Sequence, residues 1–119
     1  MEVKLFDSEL KVMEILWENG EMKAKDIADI LKEEVGWKKS TTYTVLKKCI
    51  EKAAIERNDP HFICKPLISK ADIQTYETDE LIEKMYSGAA DQLIANLLSR
   101  KSLSSEEIEH LKKLVKELE

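Results

Sequence analysis

Between Trp37 and Lys52 the chain reads WKKSTTYTVLKKCIEK, and this stretch constrains the rest most tightly. Val45, Leu46, Cys49 and Ile50 recur at the spacing of one helical face, which predicts an amphipathic helix with that stripe buried. Ser40 is placed to cap its start, because a serine oxygen accepts the unpaired N–H groups of a first turn. Thr41, Thr42, Tyr43, Thr44, Lys47 and Lys48 fall mostly elsewhere on the helix. A face of hydroxyls, one tyrosine and lysines, with no acid before Glu51, suits a DNA groove. Hydroxyls and Tyr reach bases and phosphates, and ammonium groups neutralise phosphates. The pattern also fits an ordinary surface helix, because periodicity does not distinguish a groove-facing side from a wet one. Tyr43 fits a core position as well, although its place among threonines favours exposure.

The segments before it complete a motif. Asp7 and Ser8 open a first helix, with Val12, Met13, Leu16 and Trp17 on its inner face and Gly20 at its end. Glu21-Met22 is a short link able to pair as an extended segment. A second helix, AKDIADILKEEV, turns Ile27, Ile30 and Leu31 inward, with Gly36 just past its end. Two short helices joined by a brief connection outline a helix-turn-helix. After the third helix, Ala54–Arg57 and His61–Lys65 flank Asn58-Asp59-Pro60, a turn sequence. The flanks are β-capable, so a small hairpin is expected, ended by Pro66.

From Ser69 the pattern is helical again. Ser69-Lys70-Ala71-Asp72 approximates a capping box, and the helix is expected to reach about Tyr86, where Ser87-Gly88 breaks it. AADQLIANLL follows, pairing Leu93 with Leu97 and Ile94 with Leu98. Ser104-Ser105-Glu106-Glu107 is a capping box for a last helix. On that helix Ile108, Leu111, Val115 and Leu118 form a hydrophobic seam too short for a lone coiled coil. Such a stripe needs a partner surface; packing back on the same chain is one answer, and a second copy is the favoured one. The fold expected is therefore mainly α with a small β-hairpin wing. Residues 1–68 form a winged helix-turn-helix DNA-binding domain, and 69–119 form a helical dimerisation domain.

Charge bears on this reading only locally. The whole chain carries a net −5, which argues mildly against nucleic-acid binding. Residues 69–119 hold 7 basic and 11 acidic side chains, while the window 38–65 holds 7 basic and 3 acidic. Because charges beyond about 10 Å are screened at moderate salt, the local excess matters more than the sum. No apolar run approaches the roughly 18 residues of a membrane span. Met1-Glu2-Val3-Lys4 leads into a polar, periodic segment and not a signal peptide. Cys49 and Cys64 are too few for a disulfide framework. A cytoplasmic protein without membrane insertion is expected.

The chemistry of catalysis is missing from the pattern. Gly20, Gly36 and Gly88 are isolated, so no phosphate loop forms. Glu33-Glu34 and Glu106-Glu107 sit at helix ends, where solvation or capping explains them. His61 and Cys64, three apart on a strand, point to opposite faces, and Cys49 reads as a small core residue. No enzyme activity, metal site or cofactor is expected. His110 is expected in solvent or at a dimer surface.

Taken in order, several short motifs resemble the penicillinase and methicillin-resistance repressor family (BlaI/MecI type). They are Ser8-Glu9-Leu10-Lys11-Val12-Met13 with Trp17, Trp37 with Thr41 and Thr44, Pro66, Tyr86-Ser87-Gly88, and Leu103-Ser104 with Glu106-Glu107-Ile108. The resemblance implies a transcriptional repressor that binds inverted-repeat, double-stranded operator DNA as a homodimer. In antibiotic-responsive members, which control beta-lactam resistance genes, a sensor-linked protease system leads to cleavage of an Asn–Phe bond. The corresponding position here is Asn96-Leu97, where Asn matches and Phe is replaced by another apolar residue. Other departures are Lys52-Ala53 in place of the family's Lys-Gly, a shorter wing without Gly-Arg at its tip, and Lys48 where relatives often carry Arg. The C-terminal cysteine cluster of the copper-responsive branch is absent.

On this reading Thr41, Tyr43, Thr44 and Lys48 face bases or nearby phosphates. Lys39, Lys47, Arg57 and Lys65 hold the backbone, and Ser40 lies at the same surface. Leu93, Leu97, Ile108, Leu111, Val115 and Leu118 are the dimerisation set. The alternative is a winged-helix protein-interaction module without specific DNA binding, which the short wing and the acidic total favour.

Overall fold

The computed structural model describes residues 3–100 and 102–119; Met1-Glu2, read above for a leader, lies outside them. Three helices come first: α1 (Asp7–Asn19), α2 (Ala24–Val35) and α3 (Lys39–Glu51). Strand β1 (Met22–Lys23) lies between α1 and α2. Strands β2 (Ile55–Asn58) and β3 (Ile63–Pro66) follow α3, and then come α4 (Lys70–Tyr86), α5 (Ala90–Ser99) and α6 (Ser105–Glu117). The strands form one antiparallel sheet in the order β1-β3-β2. The short link before α2 therefore pairs as a strand, Met22 opposite Cys64. The mainly α chain with a hairpin wing is as expected.

The described residues group into two compact units that meet in sequence between Thr78 and Asp79. The division falls inside α4. Ile73 is buried in the core of the first unit, Lys70 pairs with Glu14 at 3.1 Å, and the Trp17 indole N–H donates to the Ile68 carbonyl at 2.9 Å. These contacts hold the first turns of α4 with the winged helix.

The core of that unit is one stripe from each element. Val12, Met13 and Leu16 from α1, Ile27 and Leu31 from α2, Leu46 and Cys49 from α3, and Ile55 and Cys64 from the hairpin are all fully buried. Fully burying a large aliphatic side chain contributes about 1.5–3 kcal/mol, so α3 is held by its inner stripe and keeps its outer face for other uses. Two details of α3 differ from expectation. Its helix begins at Lys39, with Lys38 in the cap position and no side-chain cap. The Lys38 carbonyl already accepts from the Thr41 and Thr42 N–H groups, so Ser40 lies inside the first turn and caps nothing. Thr42 is also fully buried. Thr42, Val45, Leu46 and Cys49 share one face at i, i+3, i+4 and i+7, and the threonine hydroxyl masks the start of that stripe.

In the second unit α6 opens with the expected capping box. The Glu107 N–H donates to Ser104 Oγ at 3.1 Å and the Ser104 N–H donates to Glu107 Oε1 at 2.9 Å. Hydrogen bonding to the carboxyl from Ser104, its backbone N–H foremost and then its side chain, holds Glu107 below its ordinary range. Among the described residues no helix is long and apolar enough to cross a membrane.

Candidate nucleic-acid interface

At 3.6 residues per turn, the outer face of α3 centres on Ser40, Thr44 and Lys47, all exposed. Thr41 and Lys48, also exposed, lie on one flank, and Lys39 and Tyr43 lie on the other. The helix carries no acid in its first turn, and no side chain caps the N–H groups there. Uncapped N–H groups at a helix start attract anions such as phosphate. Thr44 Oγ1 donates back to the Ser40 carbonyl at 2.9 Å. Its hydroxyl is thereby oriented, with its methyl group and lone pairs left for an outside partner.

Tyr43 is half-buried and not fully exposed. Its ring meets Phe62 edge to face, centroids 5.6 Å apart at 66°, and Lys39 Nζ lies 5.7 Å from its centroid. Phe62 sits in the turn between β2 and β3. The Arg57 guanidinium carbon stands 3.7 Å from the Phe62 centroid, and Arg57 Nε donates to Asp59 Oδ1 at 3.1 Å. Lys39, Tyr43 and Arg57 are thus gathered along one edge.

Lys65 is not with them. In the hairpin register Arg57 faces Cys64 while Glu56 faces Lys65. Side chains alternate across a strand, so Lys65 lies on the opposite face of the wing from Arg57, beside an acid. Sequence pattern alone does not reveal this, because register depends on turn length. Phe62, Asp59 and the exposed Lys38 were also missed; a ring five residues after Arg57 carries no local signal. His61 is exposed, whereas Cys64 is buried. Among the described residues no group of three His, Cys, Asp or Glu is placed to hold a metal ion.

In the second unit, Ile94 and Leu98 of α5 and Ile108, Leu111, Leu114, Val115 and Leu118 of the α6 region line one open apolar groove. Leu118 is 88% exposed. Leu93 is half-buried and Leu97 exposed, and neither lines that groove. Asn96 and Leu97 lie within α5, where the Asn96 carbonyl accepts from Ser99 Oγ at 2.9 Å.

The penicillinase repressor family model matches residues 5–117. The chain belongs to the penicillinase repressor family. A penicillinase repressor of Bacillus licheniformis is 25% identical over 116 residues, 96% of this chain and 91% of that protein. The methicillin resistance regulatory protein MecI of Staphylococcus aureus is 25% identical over 114 residues, 94% of this chain and 93% of that one. The solution structure of the DNA-binding domain of the repressor BlaI matches with a TM-score of 0.55 at 25% identity. That match covers 59% of this chain and 88% of that domain. The resemblance read from the ordered motifs holds across almost the full length, in a family of repressors and not of enzymes.

Proposed function

We propose that this penicillinase-repressor-family chain binds inverted-repeat operator DNA as a dimer and represses the genes behind it. The observation that carries the reading is the outer face of α3, hydroxyls and lysines without an acid before Glu51, on a domain like the BlaI DNA-binding domain. Thr41, Tyr43, Thr44 and Lys48 are the residues assigned to bases or nearby phosphates. Lys39, Ser40, Lys47 and Arg57 are assigned to the backbone. Lys65, on the outer face of the wing, reaches only a separate stretch of phosphates. A DNA-bound repressor works in the cytoplasm.

The second copy is assigned to the α5–α6 groove. Helices this short gain most of their stability from tertiary packing, and the seam on α6 finds that packing in a matching seam. Control of beta-lactam resistance genes follows from what the relatives are named for. Release by a sensor-linked protease at Asn96-Leu97 is the matching inactivation step. That bond is helical, so a protease reaches it only after α5 opens locally.

The test is fluorescence anisotropy of the purified protein on its own upstream promoter, with a random duplex as control and salt titrated. Preference for the promoter by about a thousandfold, falling with salt, supports the repressor. Equal weak binding to both sinks the claim that this promoter holds the operator. No binding at low salt leaves the interaction module as the better account. In cells, a promoter reporter that a beta-lactam derepresses supports the resistance link; firm repression unmoved by the drug removes it.

A further inference from the structure

Phe62 is an odd residue for its place. Its φ is +48°, a left-handed conformation that costs any residue with a Cβ and most favours glycine. The chain nonetheless puts a large ring there, in the wing's turn. That ring is spent on two contacts: the edge-to-face meeting with Tyr43 of α3 at 5.6 Å, and the Arg57 guanidinium at 3.7 Å. Its carbonyl makes a third tie, accepting from the Ala24 N–H at the start of α2 at 2.9 Å.

We infer that Phe62 is a positioning residue for DNA binding: its ring, braced on Tyr43, sets the direction in which Arg57 meets the phosphate backbone. A planar guanidinium stacks on a ring face with its N–H groups pointing outward in a plane parallel to the ring. Asp59 takes the Nε–H at 3.1 Å, which fixes the rotation of the plane and leaves the two terminal nitrogens for a phosphate. Arg57 is roughly half exposed, 47% of its side chain. A long side chain that exposed otherwise samples many rotamers and gives up that freedom on binding. The stack removes part of that cost beforehand. It also ties the wing to the helix whose outer face carries the other assigned contacts. This inference rests on the DNA-binding reading above.

The experiment is the same anisotropy measurement on the full chain and its own promoter duplex, with Phe62→Leu, Phe62→Tyr, Arg57→Ala, Arg57→Lys and the double variant Phe62→Leu/Arg57→Ala. Phe62→Leu keeps apolar bulk and removes the ring. It is expected to weaken binding about two- to fivefold, the range of an exposed cation–π contact. The log–log salt slope is expected to fall by up to about 0.9, one phosphate contact. Phe62→Tyr restores both. In the Arg57→Ala background, Phe62→Leu is expected to change little. Arg57→Lys, which keeps the charge at an exposed position and loses the planar stack, gives the same loss and covers the case in which Phe62→Leu does not fold. The inference is overturned, with the repressor intact, if wild type binds and Phe62→Leu costs as much without Arg57 as with it. Arg57→Lys binding like wild type overturns it equally. Absence of wild-type binding at low salt overturns the DNA reading and the inference together.

Discussion

Lys52 Nζ donates to Glu9 Oε1 at 2.6 Å, joining the end of α3 to the start of α1 across 43 residues of sequence. The same oxygen accepts the Phe6 N–H at 2.7 Å, and Lys52 also donates to the Lys4 carbonyl at 2.8 Å. Glu9 is 1% exposed, and its Oε2 has no hydrogen-bond partner. A carboxylate so placed is tolerable only with its cation present. The ammonium is thus a strut that sets where α3 ends.

Removing one member of the pair is expected to cost more than removing both. Lys52→Met leaves a buried, uncompensated carboxylate, and a loss of about 3 kcal/mol is expected in urea unfolding. Glu9→Leu combined with Lys52→Met should recover most of it, since paired replacement of buried ions by apolar groups is often near neutral. A double variant no more stable than Lys52→Met alone would show that packing, not charge, holds this joint.

Just beyond the strut, Ala53 has φ +60°. Its N–H bonds the Ile50 carbonyl at 3.0 Å, and the Ala54 N–H bonds the Cys49 carbonyl at 2.9 Å. Those two bonds make a Schellman ending, whose left-handed residue is usually glycine. The missing family glycine read from the sequence therefore falls where the backbone needs one. Ala53→Gly relieves a left-handed alanine, about 1–2 kcal/mol, and loses about 0.5–1 kcal/mol to the freer unfolded chain. A net gain of about 0.5–1 kcal/mol is expected by denaturant titration. A loss would mean that the Ala53 methyl group makes contacts worth more than the strain.

The two thiols are expected to be silent in the folded protein. Burial, then the Glu9 carboxylate, pushes Cys49 up to about 12, against the opposing Lys52 charge. Burial pushes Cys64 up to about 11 despite Arg57. Neither forms thiolate near neutral pH, so a disulfide reagent at pH 8 should label both only in denaturant. The fold favours the neutral thiol, so this contribution to stability is complete below the ordinary value of 9.0 and is lost as pH rises from there towards 12. Rapid labelling of native protein would contradict the burial of both side chains.

Asp59 holds Arg57 Nε at 3.1 Å and puts a carboxylate beside the guanidinium that the DNA reading assigns to phosphate. Asp59→Asn removes that like charge from the phosphate's approach and keeps an acceptor for Nε. Tighter promoter binding at low salt is expected, with the gain shrinking as salt rises. Weaker binding would mean that orientation by the carboxylate outweighs its repulsion.

Much of this was legible in the chain. The α2 span, the Gly36 ending and the Ser104–Glu107 capping box follow from local rules, because caps and helical stripes are written within a few residues. Thr42 was not legible, since its hydroxyl reads as polar although the whole side chain, Oγ1 included, is buried. Ser40 was not either: its cap role fails by the small shift of a helix start that sequence rules do not resolve. The Glu9–Lys52 strut and the Phe62–Arg57 stack depend on residues brought together only by the assembled sheet and helices. The face of Lys65 was hidden for the same reason, because it is decided by the Ile55–Pro66 register.

The proposed dimer places the second copy on the α5–α6 groove. The groove's lining from Ile94 to Leu118 is mostly apolar and open, with Lys112, Lys116 and Glu117 also along it, and leaving so many large aliphatic side chains in water forgoes about 25 cal/mol for each Å2 that a partner would cover. Leu111 and Val115 sit in the middle of that lining, one turn apart on α6. Replacing both with Lys adds two like charges to the groove in each copy, and so four across a two-fold interface, while the α6 capping box and the winged helix are untouched. Monomers are expected by light scattering at concentrations where wild type is a dimer, with circular dichroism of the helices retained. A dimeric operator is then bound half-site by half-site, so promoter affinity should fall far more than affinity for a random duplex. An intact dimer in Leu111→Lys/Val115→Lys would place the interface elsewhere and leave this groove to packing within one chain.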